Sequence, residues 1–308
     1  MTTYSYADCL ERAYKVNWRI KDVLGDVDFD LSRCWLPAQL SGADGIFCLS
    51  ADEKRKLSHV EMGAYAHLFG FVEEFIAPQM LNLARDFEGE NREAFDALTN
   101  FASEEVKHMH LFSEIRRRVD EKLGFPLELL EGQREVALAV LSKNRGAVLL
   151  LTSAIEWFTQ LHFLSAMKHS DTLDPLTKEI FRSHWLEEAQ HAQLDHLETI
   201  RVFKDMEEAE REEAIEDLIW LLSAVDGLLQ QQAGYDVRNL QRYLDREFTP
   251  PEREEILRNV LQAKRYCFIE SGVTHPHFQE LFLTVTTPAQ RKRVKGALGL
   301  MLEGSPTH

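Results

Sequence analysis

Two stretches of this chain, ASEEVKHMH and HWLEEAQHA, each place a glutamate three residues before a histidine: Glu105 with His108, and Glu188 with His191. On an α-helix, residues three apart share a face, so each pair can bring a carboxylate and an imidazole to one point. Burying an unpaired carboxylate is expensive, so the two pairs must either be solvated or close around a cation. Two such helices make two half-sites for metal ions. A bundle that completes a pair of metals needs a further carboxylate from each of two more helices.

The rest of the chain reads as helices. Residues 4–24 carry apolar positions at helical period (Leu10, Ala13, Tyr14, Trp18, Val23) and end at Gly25, which predicts a leading helix. Pro37, Gly42 and Gly45 break periodicity between Asp26 and Ser50, which reads as a long loop packed across the body. Ser50 followed by Glu53 is a capping-box pattern, and the helix it opens runs to about Ala84, with a kink expected at Pro78. Further helices are expected over residues 91–122, 133–169 and 172–203, completing a four-helix bundle. Shorter amphipathic segments follow near 207–232, 236–247, 251–270 and 287–303. Strand-like alternation is missing, so the expected class is all-α. The chain is expected to form a single domain over 1–308: a bundle core of about 52–203, a leading helix and loop over 1–51, and accessory helices over 204–308.

Charge and cysteine usage narrow the partners. Against 35 basic residues stand 51 acidic ones, a formal charge of −16 that would be repelled by nucleic acid and by anionic membranes. The longest apolar run, AVLLLTSAI from Ala147, is short for a bilayer, and the N-terminal MTTYSYADCLERAYK has charges where a signal peptide needs its apolar stretch. Cys9, Cys34, Cys48 and Cys267 form no Cys-x-x-Cys pair, which fits a reducing cytoplasm. Small molecules or proteins are the expected partners.

The ligand candidates follow from periodicity. Phe101, Glu105, His108, Phe112 and Ile115 fall on one stripe, which leaves Glu104 and His110 off it. His184, Glu188 and His191 share a second stripe at offsets 0, 4 and 7. Asp195 continues this stripe and reads either as an acceptor that orients a ligand histidine or as a solvated helix charge. Glu156 is a lone acid amid Leu149, Leu150, Leu151, Ile155, Trp157 and Phe158, and is assigned as a bridging ligand. His162 lies on another face and reads as a hydrogen-bonded core residue. In HLFGFVEEFIAPQM either Glu73 or Glu74 can ligate; Met62, Ala66, Phe69, Ile76 and Met80 share the stripe of Glu73. A spacing of 32 residues separates Glu73 from Glu105, and 32 separate Glu156 from Glu188, which levels the ligands on antiparallel helices. Phe101, Phe112, Trp157, Phe158 and Trp185 are candidates to line a pocket beside them, or simply to pack the core.

Over roughly residues 55–200 this constellation resembles the ferritin-like di-iron oxygenases. The additional His184, giving histidine, glutamate and histidine on one helix, resembles the p-aminobenzoate N-oxygenase (AurF-like) branch. The resemblance implies Glu73 or Glu74, Glu105, His108, Glu156, His184, Glu188 and His191 as ligands to two iron ions, with manganese as competitor. It implies an enzyme, a non-haem di-iron monooxygenase that activates O2 to oxidise a small organic substrate, with N-oxygenation of an amine as the branch-specific form. An external electron donor is expected, and the accessory helices could supply a substrate pocket or a homodimer face. The alternative is a ferritin-like protein that oxidises or stores iron without an organic substrate. A third reading is a helical scaffold with solvated Glu and His residues.

Overall fold

The structure is a computed structural model and describes residues 4–302. Residues 1–3 and 303–308, over which the single-domain expectation and the reading of the N-terminus also ran, lie outside the described residues. No strand occurs among the described residues, and one isolated bridge joins Cys34 to Leu173.

The leading helix is broken. Helix α1 spans Tyr6–Val16 and α2 spans Ile20–Leu24; between them Asn17 leaves helical geometry and Trp18 turns toward the bundle. The periodic pattern expected over 4–24 hid this break, because Trp18 is inward in either geometry. The loop that follows holds a short helix, α3 (Ala38–Ser41), and is pinned to the bundle by its own polar groups. Asp174 takes the backbone N–H of Asp30 on one carboxylate oxygen and, with the other, caps the helix that begins at Pro175 through the N–H of Thr177.

Helix α4 (Ala51–Ala84) opens with the expected capping box between Ser50 and Glu53 and continues through Pro78. Helix α5 spans Arg92–Leu123; Asn91 caps its start, and Gly124 ends it at φ +80°, a backbone state open to glycine. The expected helix over 133–169 is in fact α6 (Gln133–Leu141), α7 (Arg145–His162) and a π-helical turn over Phe163–Met167. The break falls where the Asn144 side chain accepts the N–H of Gly146 and caps α7. Helix α8 spans Pro175–Asp205.

The remaining helices wrap this core. Helix α9 (Glu208–Leu244) is continuous across the expected break near residue 233, since Ala233, Asp236 and Val237 are buried on one face and stay in register. Helix α10 (Pro250–Arg265) passes through a π-helical turn (Tyr266–Glu270) into the short α11 (Ser271–Val273). There Gly272 packs so tightly on α7 that an added Cβ would lie 2.3 Å from the Ala154 carbonyl oxygen. Helix α12 (Pro276–Val285) fills a stretch where no element was expected, and α13 (Pro288–Leu302) follows. Arg145–Met167 is the one described segment apolar enough by length and composition to cross a bilayer. Its most apolar window is 89% buried within the protein, as the core helix of a bundle is.

Candidate metal centre

Four buried glutamates, one from each of helices α4, α5, α7 and α8, come close enough to interact: Glu73, Glu105, Glu156 and Glu188. Helical phase decides the doublet on α4, because Glu73 is 2% exposed whereas Glu74 faces solvent. The alternative of Glu74 as the ligand is therefore corrected: the stripe of Met62, Ala66 and Phe69 carries Glu73 inward and turns its neighbour out.

Two overlapping groups of ligand atoms result. Glu73, His108, His184 and Glu188 offer atoms that all lie within 4.8 Å of one another, and so do Glu105, His108, Glu188 and His191. Glu188 spans both. Its Oε1 lies 2.7 Å from His184 Nε2 and 3.0 Å from His108 Nδ1, and its Oε2 lies 3.0 Å from His191 Nδ1. Glu105 Oε1 is 2.9 Å from His191 Nδ1, while Glu73 Oε1 is 3.5 Å from His184 Nε2. Glu156 lies outside both groups but interacts with Glu188 and Glu105, its Oε2 buried without a partner.

Four carboxylates so close together, out of water, repel one another strongly. Burial, followed by the charge of Glu188, drives the Glu156 carboxyl well above its ordinary range, and burial holds Glu73 up at about 8. Glu188 goes the other way: burial opposes its charge, but His184 and His191 outweigh it and hold the carboxyl low. Glu73 Oε2, Glu105 Oε1, His108 Nδ1, Glu156 Oε2 and His184 Nε2 are all buried without a hydrogen bond. Orphaned oxygen and nitrogen donors facing one interior point are what divalent cations would satisfy, and the mixed carboxylate and imidazole set suits iron or manganese.

The histidines are held from outside. His108 donates from Nε2 to Glu187 at 2.8 Å, and His191 donates from Nε2 to Glu104 at 2.8 Å, so both rings keep Nδ1 turned to the centre. The two outer carboxylates cross over: the residue before Glu105 serves the histidine of α8, and the residue before Glu188 serves that of α5. Glu104 was expected to fall off the inward stripe; it is 7% exposed and Glu187 is fully buried. The doubled acid in EEVKH and in EEAQH was the signal for both. Asp195, a candidate for this role, does not fill it, since both its oxygens are buried without a partner. His162 is a core residue as expected, accepting from Tyr65 and donating to Ser271.

Aromatic rings close the centre. Phe101 stacks on His191 at 3.7 Å between centroids, and Phe69 and Phe112 set ring edges against His184. Phe158 stacks on His162 and Trp185 on Phe163, so these two pack the core. Trp157 stands apart: with Gln160, Ala189 and Gln193 it floors a cavity of about 340 Å³ over the seam of α7 and α8. Tyr4, Asp8, Arg12 and His277 complete its walls. Trp157 follows Glu156 and Ala189 follows Glu188, which sets the cavity level with the centre along α7 and α8 but turned about 100° around each helix from the inward glutamates.

A helical bundle with a buried glutamate and histidine centre of this kind defines the ferritin-like di-metal class. The sequence profile described as p-aminobenzoate N-oxygenase AurF matches residues 14–266, well beyond the 55–200 in which the resemblance was legible. This chain belongs to that family. It is accordingly an oxidoreductase, a monooxygenase that uses O2 on an organic substrate, and the storage alternative is not favoured. No curated protein matches the sequence. Among solved structures, the chain is similar to an R2-like ligand-binding oxidase with aerobically reconstituted Mn/Fe cofactor: 14% identity, 85% of this chain and 92% of that chain, TM-score 0.42. It is similar also to the V72I mutant of an R2-like ligand-binding oxidase with anaerobically reconstituted Mn/Fe cofactor: 16% identity, 85% and 93% coverage, TM-score 0.46.

Proposed function

We propose that the chain is a di-iron N-oxygenase acting on a small organic amine. In this reading Glu73, His108, His184 and Glu188 hold one ion, and Glu105, Glu156, His191 and Glu188 hold the other. The observation that carries it is the shared Glu188, whose two oxygens face different histidines, as a bridging carboxylate requires. Two reduced irons side by side would supply the electrons that O2 needs and that no side chain here can provide.

The protein's own residues do the rest. Glu188 would be shared by both ions and Glu156 would complete the set for one of them, while Glu104 and Glu187 hold His191 and His108 in the tautomer that turns Nδ1 inward. Phe69, Phe101 and Phe112 exclude water from the ligand histidines. The amine approaches from the cavity over α7 and α8, where Trp157 offers an aromatic wall and Gln160, Gln193 and Arg12 offer polar groups to orient it. Electrons arrive from a separate donor. A cytoplasmic setting is in keeping with four free cysteines.

The test is anaerobic iron loading followed by O2 exposure under optical spectroscopy, with an arylamine present or absent. Two irons per chain, an O2-dependent absorption change and amine-dependent O2 consumption are expected. Fewer than two irons would overturn the ligand assignment; two irons with O2 consumption indifferent to any amine would overturn the N-oxygenase reading.

A further inference from the structure

The outer carboxylates hold His108 and His191 at the same distance but differ in the charge of their second donor. Glu104 accepts from His191 Nε2 at 2.8 Å and from the neutral amide of Gln190 at 3.1 Å. Glu187 accepts from His108 Nε2 at 2.8 Å and from the ammonium of Lys107. That ammonium is fixed in turn by Trp18, whose ring lies under it at 4.1 Å and whose carbonyl oxygen accepts from it at 3.3 Å. The Trp18 ring also stacks on His108, nearly parallel at 13°. Trp18 reaches this position because the chain leaves helical geometry between α1 and α2.

A carboxylate that already accepts from a cation has less negative charge to share with a second donor than one that accepts from an amide. Its hold on the histidine N–H is weaker, and the imidazole is a poorer electron donor to whatever its other nitrogen binds. We infer that Lys107, seated by Trp18, is a positioning residue that makes His108 the weaker and His191 the stronger imidazole donor, so that the two metal positions differ electronically through their outer partners. The inference rests on the metal-ligand reading above and adds Lys107 and Trp18 to it. Lys107 acts through Glu187, while Trp18 seats Lys107 and also stacks directly on the His108 ring.

Lys107→Gln is the direct test, because it gives Glu187 the same kind of neutral donor that Glu104 has. The full chain is loaded with cobalt(II), metal is counted, and the exchangeable imidazole N–H resonances shifted by the paramagnetic ions are followed by proton NMR. Glu187→Gln and Glu104→Gln assign the lines of His108 and His191. In Lys107→Gln the His108 line is expected to move toward the His191 line while the latter stays in place, and Lys107→Arg should restore it. Two bound cobalt ions with the His108 line unmoved, or with both lines displaced together, would overturn the inference. Failure of the unaltered protein to bind two ions would instead overturn the ligand reading on which it rests.

Discussion

His191 donates from Nε2 to Glu104 across 2.8 Å, from α8 to α5, and this bond turns its other nitrogen toward the centre of the bundle. Glu104 lies beside a proposed ligand without being one. Replacing it by alanine should lower metal affinity roughly tenfold to a hundredfold, the usual effect of removing an outer partner of a ligand histidine. Asp195→Asn should leave affinity unchanged, because its carboxyl holds no histidine and burial already pushes it well above its ordinary range. Metal titration of both variants decides; equal losses would return Asp195 to the role its helical position suggests.

The doublet on α4 offers a sharper contrast. Glu73→Ala should remove the second metal ion, since this carboxylate is buried 3.5 Å from His184, while Glu74→Ala should bind two ions with unaltered stability. Metal analysis after iron reconstitution separates them. Loss of metal from the Glu74 variant would contradict the helical phase described here.

His162 should make the stability of the metal-free protein depend on pH. Burial holds its folded pKa down at about 3, and Tyr65 and Ser271 complete the hydrogen bonds of the neutral ring. A histidine whose folded pKa is depressed contributes stability that is present above its ordinary value of about 6.5 and is lost as pH falls from there toward about 3, because the unfolded chain takes up the proton first. The loss should be on the order of 1 kcal/mol per pH unit below about 6. Urea denaturation at pH 7 and pH 5 should show a smaller difference in His162→Gln than in the unaltered protein.

Lys264 is buried between Glu61 and Asp236, its Nζ 2.7 Å from each. The three tie α4, α9 and α10 together. Burial, then the charge of Asp236, pushes Glu61 up to about 8 even with the lysine present. Lys264→Met should destabilise the protein by about 3–5 kcal/mol, the usual loss when one partner of a buried ion pair is removed. Thermal unfolding tests this, and a change below about 1 kcal/mol would mean that both carboxyls are already neutral.

The helical class, the four bundle helices and the convergence of glutamates and histidines on one interior point were legible because helical period and residue chemistry are local. A glutamate and a histidine three apart must share a face in any helix, and 32 residues between glutamates must return a hairpin to the same height. The breaks were less legible. Asn17 and Asn144 end or start helices inside patterns that remain periodic across them, since the residues beyond each break still pack on the same core.

What the sequence alone determined is which side chains could meet: one face of α5 and one of α8 had to carry carboxylate and imidazole together, whatever their neighbours. Tertiary structure decided which other faces these helices turned to each other. Glu104 and Glu187 stand off their own helices' ligand stripes, yet the packing of α5 against α8 buries both and hands each to the histidine of the opposite helix. The same packing leaves Asp195 without a histidine to hold and seats Trp18 against Lys107. The period of a helix places a residue relative to its own axis only. Its partners on other helices depend on the crossing and rotation of the two axes, which are set by the whole core at once.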